Sequence, residues 1–69
     1  MILTERENNV LYYLAQGYQN NEIGRRLNIS VHTVKAHLGT IYEKLGVTNR
    51  VQAVVKGVQL DYIDVAELA

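Results

Sequence analysis

The stretch NISVHTVKAHLGTIYEKLGV, residues 28–47, decides how the rest of the chain is read. Ser30 is a helix-starting residue, because its hydroxyl accepts an N–H of the first turn, and Gly46 is a helix-stopping one. Between them Val34, Leu38, Ile41 and Leu45 recur at i, i+4, i+7 and i+11. At about 100° per residue they fall in one narrow stripe, which is the pattern of a buried helix face. The opposite half of this helix, about 31–45, carries His32, Lys35, Ala36, Gly39, Thr40 and Glu43. A solvated face is ordinarily dense in Glu and Lys. This one has two residues that are almost without side chain, Ala36 and Gly39, and they let the helix axis approach closely whatever it lies against.

Upstream, Thr4 and Glu7 form a T-x-x-E capping box that opens a first helix. Val10, Leu11 and Leu14 continue it at helical spacing, Gly17 ends it, and Tyr18 is expected to fold back on its last turn. Asn20 or Asn21 caps a second helix running to about Asn28, with Ile23 and Leu27 inward. Gly24 in its interior costs about 1 kcal/mol against alanine, so another helix is expected to press against that point. Downstream, Asn49 with Gln52 repeats the capping pattern as N-x-x-Q and opens a fourth helix. Val51, Val54, Val55 and Val58 share one side of it, expected to cover the core, and Ala53, Gly57 and Leu60 share the other. The tail, DYIDVAELA, either extends this helix or frays.

The prediction is therefore an all-α, four-helix domain over residues 1–69, with a core of about 3–60 and an acidic tail over 61–69. Its second and third helices meet at a very tight turn. That is the helix-turn-helix arrangement, in which the second helix of the pair faces the DNA major groove.

Bulk composition bounds the function. A chain of 69 residues is one small domain with a marginal core. It has no cysteine and hence neither a disulfide framework nor a thiolate metal site. No apolar run approaches the ~20 residues of a membrane span and no signal peptide opens the chain, so a cytoplasmic protein is expected. His32 and His37 diverge by roughly 140° around their helix, which excludes a shared metal site. No clustered acid–base pair, activated nucleophile or glycine-rich phosphate loop points to an enzyme, and no cofactor is implied. Net charge is zero, but the distribution is uneven. Residues 1–60 hold seven basic and four acidic side chains, and between Arg25 and Lys56 six basic residues stand against Glu43 alone. This basic middle, offset by Asp61, Asp64 and Glu67, suits a polyanionic partner.

The chemistry of the outward face agrees. Lys35 can donate to a guanine edge or a phosphate, and Thr and Ala methyls can meet a thymine methyl. The helix start at Ser30 and Thr33 offers free N–H groups to a phosphate.

The segments LTERE (3–7), AQGYQNNEIGRRLNIS (15–30), TVKAH (33–37), KLGV (44–47) and NRVQAV (49–54) stand in order at matching spacing. Together they resemble the LuxR-type, or GerE-like, DNA-binding domain of bacterial response regulators and quorum sensors, over roughly residues 3 to 58. The resemblance implies a transcription regulator that binds double-stranded DNA as a homodimer, with the third helix in the major groove and the fourth forming the dimer contact. RNA polymerase is a further candidate partner. Lys35 and Ala36 match positions that reach bases. Gly39 matches a third, often polar or basic in relatives, and offers no side chain there. Asn20, Ser30 and Thr33 match backbone-contacting positions, and Asn21 stands where the family often has lysine.

The candidate DNA-contacting residues are thus Asn20, Ser30, His32, Thr33, Lys35, Ala36, Gly39, Thr40 and Arg50, and the candidate dimer contacts are Ala53, Val54 and Gly57. Each has a plainer reading beside it. His32 reads equally as a solvated histidine, and His37 as a helix-edge packing residue. Of Arg25 and Arg26, one faces phosphates and the other is surface or an ion-pair partner, and spacing does not choose between them. Lys44 and Arg50 either touch phosphates or pair with Glu7 and Glu43, with pairing favoured for Lys44. The competing function is a helical protein-interaction or dimerisation module without DNA readout. Met1 is either a true start, giving a stand-alone regulator, or the edge of an excised C-terminal domain, toward which a start so near the first helix points.

Overall fold

Start and stop signals place the helices. The structure, a computed structural model, describes residues 2–68 and contains α1 (Glu5–Ala15), α2 (Asn20–Leu27), α3 (Val31–Leu45) and α4 (Arg50–Gln59), followed by a 3-10 turn at Val65–Leu68. Thr4 and Glu7 cap α1 reciprocally: the Glu7 N–H donates to Thr4 Oγ1 at 3.1 Å, and the Thr4 N–H to Glu7 Oε1 at 2.9 Å. Tyr18 does fold back on α1, its N–H donating to the Tyr13 carbonyl at 3.2 Å. The start of α2 differs from expectation. Its N-cap is Gln19, which makes no side-chain cap, while Asn20 is already helical.

Between α2 and α3 the chain turns within Asn28–Ser30. Asn28 takes the left-handed conformation at φ 57° and ψ 46°, one that Asn tolerates better than most residues. The Ile29 N–H then reaches back to the Gly24 carbonyl at 2.9 Å. This explains Gly24. A Cβ there would lie 2.7 Å from the Ile29 carbonyl oxygen, so what presses against it is the turn's own backbone rather than the flank of another helix. Ser30 caps α3 by accepting from the Thr33 N–H at 3.0 Å, and Gly46 closes it in the left-handed region.

Val10, Leu11 and Leu14 of α1, Ile23 of α2, and Val34, Leu38, Ile41 and Leu45 of α3 form one buried core, as their spacing predicts. The fourth helix contributes differently. Ala53 and Gly57, expected on a dimer face, are buried, and of the valine stripe Val51 and Val55 are 71% and 51% exposed. The cause is close approach. A Cβ on Gly57 would stand 2.8 Å from Ile63 Cδ1 and 3.1 Å from Leu11 Cδ2, so α4 turns its small residues inward. Val54, the third expected dimer contact, and Val58 are half-buried at the core's margin.

The tail neither extends α4 nor frays before Leu68. Asp61 adopts φ 64°, and the Tyr62 N–H donates to the Gly57 carbonyl at 2.8 Å. This reversal delivers Ile63 into the core, which therefore reaches past residue 60.

Candidate nucleic-acid interface

The outward face of α3 follows from the inward one. With Val34, Leu38, Ile41 and Leu45 buried, His32, Lys35, Ala36, Gly39 and Thr40 are all exposed, and Thr33 is half-buried at the edge. Among the described residues nothing lies within 4 Å of the position a Gly39 Cβ would take. Gly39 therefore has no packing reason to be glycine within the domain. Lys35 makes no ion pair among the described residues. The Thr40 hydroxyl donates back to the Ala36 carbonyl at 3.3 Å, which leaves its methyl and its oxygen's acceptor capacity to the outside. At the start of α3, Ser30 Oγ and Thr33 Oγ1 are 2.9 Å apart and share a hydrogen bond.

The other basic residues are mostly engaged. Lys44 Nζ lies 2.7 Å from Glu7 Oε1 and donates also to the Ile2 carbonyl at 3.3 Å, tying the end of α3 to the start of α1. The Lys44 hydrogen bond holds the buried Glu7 carboxyl below its usual range, against the opposing effect of burial. Glu22 pairs with both Arg25 at 2.7 Å and Arg26 at 3.2 Å. Its carboxyl is likewise held low, first by the Arg25 hydrogen bond. Two guanidiniums on one carboxylate leave a surplus positive charge on α2. The Arg26 guanidinium also stacks over the Tyr18 ring, 4.3 Å from its centroid.

Arg50 and Asn20 are held to each other: Arg50 Nη2 donates to Asn20 Oδ1 at 2.7 Å and Nη1 to the Tyr18 carbonyl at 3.2 Å. The guanidinium expected to face DNA bridges the starts of α4 and α2, with partners that sequence spacing did not suggest. A second unforeseen tether joins Arg6 Nη1 to the Leu27 carbonyl at 3.3 Å. Both are arginines bonded to backbone carbonyls far along the chain, and no periodic pattern signals such bonds.

On α4, Val51 and Val55 line a shallow groove with Val47 and the stems of Gln52, Lys56 and Gln59. Among the described residues no cluster of His, Cys, Asp and Glu is placed to hold a metal, and no helix is long and apolar enough to cross a membrane.

Comparison with known proteins agrees with this geometry. A family model described as "Bacterial regulatory proteins, luxR family" matches residues 1–56. The transcriptional regulatory protein DegU of Brevibacillus brevis is 44% identical over 64 residues, which are 93% of this chain and 27% of DegU. The response regulator ChrA of a heme-sensing two-component system superposes with a TM-score of 0.88 at 43% identity, over 91% of this chain and 31% of ChrA. The transcription factor GerE superposes with a TM-score of 0.85 at 34% identity, over 90% of this chain and 92% of GerE. The chain thus spans about the length of GerE but under a third of DegU or ChrA.

Proposed function

Since the chain belongs to the luxR family of bacterial regulatory proteins, a family of non-enzymatic, helix-turn-helix transcription regulators, we propose that it reads double-stranded DNA through α3 in the major groove and dimerises through α4. One observation carries the reading. A continuous exposed face on α3 combines an unpaired lysine, a glycine with open space above it, and small or methyl-bearing neighbours at Ala36 and Thr40. Among the described residues this face has no partner to explain it. A base-pair edge suits it, because Lys35 can donate to guanine O6 or N7 while Ala36 and Gly39 allow the helix to seat deeply.

The dimer reading moves to different residues from those the spacing indicated. Ala53 and Gly57 are inside the domain, so the contact falls to the exposed Val51 and Val55 and the groove beside them. Two copies joined there bind a two-fold symmetric site with half-sites about one helical turn apart. As a transcription regulator the dimer acts in the bacterial cytoplasm, with RNA polymerase as a further partner. The same exposed valines are what favour the competing reading, a protein-interaction module without DNA readout.

Selection from a random duplex pool, followed by titration of the winner at two salt concentrations, decides between them. The DNA reading predicts an enriched two-fold motif whose affinity falls as salt rises, because neutralised phosphates release counterions. No enrichment, with binding insensitive to salt, contradicts it.

A further inference from the structure

Arg50 carries a full positive charge in a DNA-binding domain, yet its guanidinium is turned into the protein. It is the first residue of α4, and it donates to the Tyr18 carbonyl and to Asn20 Oδ1. A guanidinium has no acceptor. The Asn20 amide is therefore obliged to present its oxygen to Arg50 and to turn its NH2 group away. Among the described residues that NH2 group donates to nothing. Asn20 is itself the first residue of α2, partly exposed, on a helix start whose N-cap, Gln19, makes no side-chain cap and where Asn21 Oδ1 accepts from the Glu22 N–H at 2.9 Å.

We infer that Arg50 is a positioning residue: it aims the Asn20 NH2 group at a DNA phosphate and does not touch DNA itself. The inference rests on the DNA-binding reading above and refines it. Its two hydrogen bonds also lock the start of α4 to the start of α2. The helix that joins two copies and the helix that meets the DNA backbone are thereby set at a fixed angle.

The distinction from a direct phosphate contact is measurable. A cation that neutralises a phosphate releases a counterion and steepens the salt dependence of binding, whereas a neutral amide donating to the same phosphate does not. The test titrates the wild-type chain and the Asn20→Ala, Asn20→Asp, Arg50→Ala and double-alanine variants with the duplex that the wild type enriches from a random pool. Thermal melting is followed in parallel. Arg50→Ala and Asn20→Ala are each expected to weaken binding about fivefold per bound copy, the effect of one hydrogen bond. The double variant is expected to be no weaker than either single one, and the salt slope to stay at its wild-type value.

Asn20→Asp keeps an acceptor for Arg50 and removes the NH2 donor. It is expected to melt no lower than the wild type and to bind no better than Asn20→Ala; because its carboxylate also repels phosphate, the diagnostic result is wild-type affinity, which a purely structural tether allows and an NH2–phosphate contact does not. The two Asn20 variants leave the core untouched and carry the test even where Arg50→Ala fails to fold. A salt slope shallower by about 1 in Arg50→Ala, additive losses, or wild-type affinity in Asn20→Asp overturns the inference. A wild-type chain that enriches no duplex fails the DNA reading itself. Wild-type binding that no substitution weakens fails only the assignment of Arg50.

Discussion

Gly39 on α3 and Gly57 on α4 are the same residue on neighbouring helices, in opposite situations. Above Gly39 there is open space; above Gly57 a Cβ would press on Ile63 Cδ1 at 2.8 Å. The helices differ in the same way along their length. α3 buries its large aliphatic residues and shows its small ones, while α4 buries Ala53 and Gly57 and shows Val51 and Val55. A globular helix ordinarily does what α3 does on the inside, because burying a large side chain gains more than burying a small one. α4 departs from this because it lies too close to α1 and to the returning tail to admit valine. The outside of each helix is then left with what the inside did not take: a slim polar face on α3, suited to a groove, and an apolar one on α4, suited to another protein surface.

The largest expected effect lies on the inner edge of α3, where Lys44 meets Glu7. Glu7→Gln keeps the cap on Thr4 but leaves Lys44, only 18% exposed, without its carboxylate. Glu7 is buried and Lys44 half-buried, so removing the carboxylate is expected to cost about 3 kcal/mol at most, read from the urea midpoint. The pH dependence follows in sign. Lys44 holds the folded-state pKa of Glu7 below its unfolded value. The contribution is fully present above the ordinary carboxylate range and is lost as pH falls through the lowered folded-state value. Glu7→Gln is expected to flatten this acid limb, and an unchanged limb would show that the pair contributes nothing.

Next in size is Gly57→Val, which forces a branched side chain between Leu11 and Ile63 and is expected to cost about 2 kcal/mol by overpacking. The matching change on α3, Gly39→Ala, meets no neighbour and adds helix propensity, so it is expected to stabilise the fold by up to ~1 kcal/mol. The comparison breaks if the two glycines respond alike, and it sharpens if Gly39→Ala stabilises the domain while weakening DNA binding.

How much of this was legible beforehand follows from the same contrast. α3 was readable because its cap, its stop and its stripe of large aliphatics all agree, and nothing crowds it. In α4 the periodicity divided the faces wrongly: Val54 and Val58 lie at the core's margin beside the buried Ala53 and Gly57, while Val51, Val55 and Leu60 are exposed. The division is set by the distance to α1 and by Ile63, a tail residue with no periodic partner. The capping box at Thr4, the cap of Asn49 on the Gln52 N–H and the pairing of Lys44 with Glu7 were foreseen, since caps and charge pairs obey local or simple rules. The hold of Arg50 on Asn20 and Tyr18, across 30 and 32 residues, was not, because a guanidinium donating to a carbonyl leaves no trace in composition. The basic middle of the chain overstated the free charge as well. Glu22 and Glu7 engage Arg25, Arg26 and Lys44, which leaves Lys35 as the unpaired cation on the α3 face among the described residues.

That narrowing makes Lys35 the direct test of the central claim, that the outward face of α3 reads bases. Random-pool selection is run on the wild-type chain and on Lys35→Ala, whose stability is expected to change by less than about 0.5 kcal/mol because the side chain is exposed. The account predicts that Lys35→Ala binds about 1–3 kcal/mol more weakly and selects a motif relaxed at one position in each half-site. An unchanged motif at unchanged affinity would contradict it.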